Sequence, residues 1–548
     1  MNLKSNDFFL KNIFYFLYLS FFVLGLIIFN DFGISVDEEF QRYSGFYWLN
    51  YVLEFTPFES LKLGVENKLS EIGGFTLPNP KDYPFYGVIF DLPLALIETV
   101  LKVNEPREYF LLRHFFTFAI FFISALYFHK ILENRFKKKI IIFFGVLLYI
   151  SSPRIFADSF YNNKDLIFLS FVTISLSYYF QLIDNFNYKN ILNFSFFAAL
   201  TCAARIIGIF LPITFLFFIF LSNKKIDKNY HLIKKILFFI FCFLLFLYFL
   251  WPFLWKSPVT NFIYAFNKSS EVGLSIQMLF NGNYIFSNLL PISYLPAWII
   301  ITTPIISLIL FLVGYAIIIK RSFARLINIK SDTIYSDFWR GKKENKDFFV
   351  ILNFSLIFFY VILSNSVLYT GWRQLYFLHV FFIYIGCFAI YYLNLKIKKK
   401  FFLHSFIFIF LLVNFYNIYK FHPYQSSYFN LLVSESKKKD FEIDYWGLAG
   451  VKFLNEVLFI EQKKELIKIG VASYIPLERS LKMLKKEIAK KIEIVGQDYN
   501  SANYIFNNNM SEVNKNKNNK YQIPVNFKKI KEFSIEGFVV YEIYKKID

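Results

Sequence analysis

Long apolar runs recur along this chain, and nothing constrains its fold more. They lie near 12–30, 110–130, 140–152, 164–183, 191–204, 206–222, 235–253, 296–318, 347–364, 376–394 and 401–420. Roughly 20 apolar residues in a helix cross about 30 Å of hydrocarbon. Inside a bilayer the backbone must satisfy its own hydrogen bonds, so such runs must be helices. Of the 548 residues, 56% are hydrophobic and only 18% charged, where a soluble domain carries about a quarter. A disordered chain, a soluble multidomain enzyme and a disulfide scaffold are thereby excluded. The expectation is a polytopic α-helical membrane protein of about eleven spans. No small-residue cleavage site follows the first run, which reads as a retained helix. The 191–222 stretch reads as a hairpin turning at Arg205, because a mid-span Arg costs about 2.5–3.5 kcal/mol even on mild scales.

The net charge of +20 goes with abundant Lys, Asn, Ile, 77 Phe and 38 Tyr, residues that AT-rich codons favour. Four basic clusters fall on one side of such a topology: Arg135–Lys139, Lys224–Lys235, Lys320–Lys346 and Lys396–Lys400, together with Lys4 and Lys11. Positive residues stay inside, so this side and the N terminus are expected to be cytoplasmic, in the inner membrane. No nucleic-acid-binding module accompanies the charge, so no nucleic-acid partner is expected. Cys202, Cys242 and Cys387 sit in apolar runs and read as small core residues. The first outer loop, 31–109, is rich in Asp and Glu, and its stretches 40–55 and 86–103 suit helices lying in the interface. The division expected is a transmembrane module, 1–420, and an outer C-terminal domain, 421–548. From about 440 the texture is α/β, with strands at Ile467–Val471, Ile492–Val495, Tyr504–Phe506 and Phe538–Ile543 and a helix at about 476–490. The Lys/Asn-rich stretch Asn507–Lys520 reads as a mobile loop.

Polar residues collect where spans leave the membrane on the outer side. Asp37, Glu38 and Glu39 follow the first helix. A solvated charge group is the bland reading; a carboxylate in a partly dry pocket, its pKa raised into the range of a general base, is the sharper one. Arg154, Asp158, Lys164 and Asp165 crowd a short outer loop, 153–163, either as snorkelling helix ends or as a cationic pocket. Tyr369, Trp372 and Arg373 share another short loop, where a guanidinium either anchors or grips a phosphate. His422 stands at the exit of the last run and is weak evidence alone. Arg205, in apolar surroundings, needs an anion, an aqueous cavity or a pair with a residue such as Asp165. No HExxH, paired CxxC, P-loop or Rossmann fingerprint occurs.

In their order and sidedness these segments resemble the GT-C glycosyltransferases, and among them the bacterial relatives of glycosyltransferase family 39, the protein O-mannosyltransferase and aminoarabinose transferase group. Pro153–Asp165 looks like that family's Pro-Arg…Phe…Asn-x-Lys-Asp loop. Tyr369–Phe377 resembles its Tyr-Asp-Gly-x-Arg-His…Phe loop, with Thr370 and Gln374 in place of the Asp and His. His422–Asn430 and Asp444–Gly447 resemble the segment that enters the outer domain. The resemblance implies a membrane glycosyltransferase that moves a sugar from a polyprenyl-phosphate donor to a lipid, glycan or protein acceptor outside the cytoplasmic membrane. It implies Asp37 as base, with Glu38 or Asp165 shaping the pocket, and Arg154, Lys164, Arg205 and Arg373 as phosphate ligands. Tyr369 and His422 would support them. It implies that no cofactor is required, although some relatives use a divalent ion. A lipid-linked sugar flippase would want charges at the midplane and repeat symmetry; an envelope polymerase or ligase shares the hydropathy; a sensor would need a cytoplasmic transmitter.

Overall fold

The computed structural model describes residues 3–72, 77–222, 230–271, 275–327, 339–462 and 465–547. Of the basic clusters, Lys224, Lys225, Lys228 and Lys330 lie outside the described residues. The chain is mostly helical with a small C-terminal sheet, compatible with a polytopic membrane protein.

In chain order the helices are α1 (Leu3–Ile28), α2 (Glu38–Leu53), α3 (Glu59–Ile72), α4 (Asp91–Val100), α5 (Pro106–Phe136), α6 (Lys139–Ile150), α7 (Pro153–Tyr161), α8 (Asp165–Asp184) and α9 (Tyr188–Ala204). There follow α10 (Phe210–Ser222), α11 (Tyr230–Leu250), α12 (Pro258–Glu271), α13 (Tyr294–Thr302), α14 (Ile305–Ile327), α15 (Gly341–Leu363), α16 (Leu378–Lys396) and α17 (Lys400–Phe421). Among the described residues seven of these, α5, α8, α11 and α14–α17, are long and apolar enough to cross a membrane. The bent pair α6–α7 raises the number to eight.

Three runs depart from a simple span. At Arg205 the backbone turns extended, with φ −148°, and α10 folds back: the rings of Phe194 and Phe215 are 5.1 Å apart, where one continuous helix would hold them about 30 Å apart. The run 296–318 breaks at Pro304 into α13 and α14, since proline has no N–H to continue the ladder. The segment 153–163, expected as an outer loop, is instead the buried helix α7, set at 61° to α6. Pro153 suits its first turn because that turn's N–H has no intrahelical partner.

Charges separate to the two ends of the bundle. At one end Asp347 accepts from Arg135 and Arg321 at 2.7 and 3.0 Å, and Lys346 meets Asp184. The other end is covered by the helices of the 31–109 segment. There α2 and α4 are tied by Arg42, which donates from two nitrogens to Glu98.

Beyond them lie a hairpin, β1 (Gln277–Phe280) and β2 (Asn283–Phe286), and a five-stranded sheet. Its strands are β3 (Ile467–Val471), β4 (Ile492–Gly496), β5 (Tyr504–Asn507), β6 (Phe527–Ile535) and β7 (Phe538–Lys546), in the order β4-β3-β5-β7-β6. The stretch 476–490 forms two short helices, Glu478–Leu481 and Lys486–Ala489, rather than one. Part of the Asn507–Lys520 stretch is pinned: Gln277 donates its backbone N–H to the Glu512 carbonyl, and Asn514 donates to the Gln277 side chain.

Candidate functional site

Asp37 lies just before α2, at the covered end of the bundle, with 27% of its side chain exposed. Arg373, from the loop before α16, donates from Nη1 to Asp37 at 2.6 Å. The same Nη1 lies 3.8 Å from Asp165 at the start of α8. Asp165 also pairs with Arg205 at 2.8 Å, so four groups alternate in charge: Asp37, Arg373, Asp165, Arg205. The loop that presents Arg373 is tightly wound, with Thr370 at φ 52° and Gly371 at φ 80°. Thr370 Oγ1 accepts from Arg373 Nε at 2.6 Å, so this hydroxyl orients the guanidinium. Tyr369 and Trp446 cover its faces, with ring centroids 5.0 and 4.4 Å from Cζ.

Lys164 stands 3.3 Å from the centre of the Tyr86 ring. The close approach of that loop depends on Gly87, where a Cβ would fall on the Ala203 carbonyl. Burial pushes the Asp37 carboxyl up, but Arg373 and Lys164 outweigh it and hold it at about 2. The expected upward shift is therefore reversed: two cations beside a carboxylate overcome partial desolvation.

The other expected residues divide. Tyr369, Lys164, Arg205 and Asp165 join Asp37 and Arg373. Glu38 does not: its carboxylate turns inward, accepting from the Ser35 N–H at 2.6 Å and lying 3.0 Å from His114, fully buried. It fixes the entry to α2. Arg154 is buried between Trp298 and Phe429 and donates from Nε to the Tyr428 carbonyl. Its Nη2 is buried without a partner, and it makes no bond to Asp37. His422 lies elsewhere, 3.0 Å from Asp31, on the wall of a 630 Å³ groove formed with residues of Gly450–Ile460.

Sequence reasoning missed the C-terminal domain's share. Glu39 accepts from Arg479 at 3.0 Å and also pairs with Lys482. Asp444 accepts from the N–H groups of Leu448 and Ala449 and from Asn508, and so shapes the turn that holds Trp446 over Arg373. The Trp446 carbonyl in turn accepts from the Val36 N–H, beside Asp37. Burial pushes Glu442, a few residues away, up to about 8. Nothing local in the sequence marks Arg479 or Lys482, because their partner is some 440 residues away.

Among the described residues no group of three or more His, Cys, Asp or Glu side chains is placed to hold a metal ion. Asp37 and Asp165 are engaged by guanidinium groups, so the residues present do not fit a divalent cation. No protein-family model matches this chain, and no curated protein matches it. What the fold and site define is a class: a mostly helical, membrane-embedded protein with a partly buried, alternating charge array under a small C-terminal domain.

Proposed function

We propose that this chain is an integral membrane glycosyltransferase of GT-C type, with eleven spans. It would move a sugar from a polyprenyl-phosphate donor to an envelope acceptor on the outer face of the cytoplasmic membrane. The observation that carries the reading is the Asp37–Arg373 pair: an acid and a fork-shaped cation held together at a membrane exit. Transfer from a phosphodiester needs both, a base for the acceptor hydroxyl and positive charge for the departing phosphate.

The residues would act in sequence. The donor phosphate competes for Arg373 and is flanked by Lys164 and Arg205. Arg373 then shares its charge, and Asp37, partly buried, becomes a stronger base. The acceptor hydroxyl gives its proton to Asp37 while its oxygen bonds to the anomeric carbon. The bond from that carbon to the phosphate oxygen breaks, and the electron pair leaves on polyprenyl phosphate, held by the guanidinium. No step is routed through a metal. The charges gather at the two ends of the bundle rather than at its middle, which favours transfer over flipping.

The test is incubation of the purified protein with a panel of radiolabelled polyprenyl-phosphate sugars. Transfer or hydrolysis of one of them, lost in Asp37→Asn, is the expected result. Turnover of none across a broad panel removes the reading.

A further inference from the structure

Lys164, Arg205 and Arg373 lie against Asp37 and Asp165, and on the side of the C-terminal domain Arg479 and Lys482 both engage one carboxylate, Glu39. Arg479 is committed to Glu39 through Nε, but its Nη1 is buried with no hydrogen-bond partner. A buried guanidinium N–H without an acceptor is costly, and such atoms mark places where a ligand completes the bonding. Arg479 is also close enough to act on Asp37 electrostatically. Arg479 and Lys482, held on Glu39, tie the 478–482 segment to the start of α2, and Tyr474 feels both Arg479 and Tyr369.

We propose that Arg479, with Lys482, forms a second anion subsite contributed by the outer domain, and that it takes a phosphate-like group on the acceptor. This rests on the glycosyl-transfer reading for the word acceptor, but not for the anion. The donor phosphate occupies the Arg373 side, the acceptor's anionic group occupies the Arg479 side, and Asp37 lies between them to receive the hydroxyl proton. In the empty site Glu39 stands in for the acceptor's anion, as Asp37 does for the donor's.

That substitution gives the test its sign. The full-length protein in detergent is titrated calorimetrically with inorganic phosphate. The wild type should take two phosphates per chain, and Arg479→Gln one, with the second weakened by about tenfold or more, as expected for loss of a charge-assisted bond. Glu39→Gln removes the competing carboxylate and should tighten that second phosphate. A strut that merely holds the outer domain predicts the opposite: both variants would leave phosphate binding alone or weaken it together with the unfolding midpoint. One phosphate in the wild type, two in Arg479→Gln, or weaker binding in Glu39→Gln overturns the subsite. Repeating the titration in phosphatidylglycerol and in phosphatidylcholine nanodiscs identifies the source. Displacement of one phosphate by phosphatidylglycerol, absent in Arg479→Gln, assigns the group to a lipid headgroup; no displacement assigns it to a soluble anion. A donor panel without turnover withdraws glycosyl transfer and leaves the phosphate stoichiometry to be judged separately.

Discussion

At the scale of single residues, Asp37 and Arg373 define each other. With its carboxyl held at about 2, below the ordinary aspartate value, Asp37 gives stability that is complete above the unfolded pKa and lost as pH falls through the folded one. The window therefore lies below about pH 4. Asp37→Asn should cut transfer by about 10²–10⁴-fold, measured as label transferred per minute, while the fold persists. Glu38→Gln should do the reverse, lowering the thermal midpoint through its buried bonds to Ser35 and His114, with donor binding retained. Equal transfer in wild type and Asp37→Asn would remove the base. Arg373→Lys keeps the charge and loses the fork that spans Thr370 and Asp37, so donor affinity should fall by about tenfold; equal affinity in a binding titration would make Arg373 an anchor only. Glu442 gives a second pH signature. Its pKa is raised by burial to about 8, so the native state binds the extra proton and stability falls as pH rises from about 4.5 to about 8. Glu442→Gln should flatten that slope in unfolding midpoints measured across the interval.

At the scale of elements, what could be read in advance follows from periodicity. Apolar runs announce helices because hydrocarbon permits little else, and β3, β4, β5 and β7 were legible as short apolar segments between turns. The strand β6 was not: its Phe-Lys-Lys-Ile-Lys-Glu pattern is that of an edge strand armed with lysine against further pairing. The β1–β2 hairpin had a signal that was passed over, Asn281-Gly282, which takes positive φ at both residues and suits the tight turn. The helix α7 looked like a loop because Arg154, Asp158 and Asn162 are polar; they are buried here because they bond to one another's neighbourhood instead of water. The site was legible by residue type and sidedness, and its pairings were not, since each joins segments far apart in the chain. Gly87 is the element-scale test. Gly87→Ala places a methyl against the Ala203 backbone, where nothing can yield without moving α9. The variant should lose more than about 2 kcal/mol, seen as a lower unfolding midpoint, and should displace Lys164 and Arg205 with the loop. A midpoint equal to wild type would show that the loop is not strapped there.

At the scale of the whole molecule, the two charged ends give a direct test of sidedness. Impermeant thiol reagents in intact cells should label single cysteines placed at Glu66 and Val525, and not at Lys343. All three positions are exposed, Val525 at 99%. Met510, in the Lys/Asn-rich stretch, is buried at 4% and would report packing instead of topology. Labelling of Lys343 alone would invert the orientation. The C-terminal domain also reaches the helical part through Lys420–Glu536 and Arg479–Glu39, so a chain cut after the last span should lose the second phosphate as well as the domain.

The bond from Arg373 to Asp37 crosses 336 residues of chain. At roughly 5–20 residues per second of synthesis, the acid emerges some tens of seconds before the cation that neutralises it. For that interval Lys164 is already made, but Asp37 lacks its guanidinium partner. Arg479 arrives later still. The nascent protein therefore carries an unfinished centre until its last segments are made, and competence comes to the molecule all at once, at the close of its own birth.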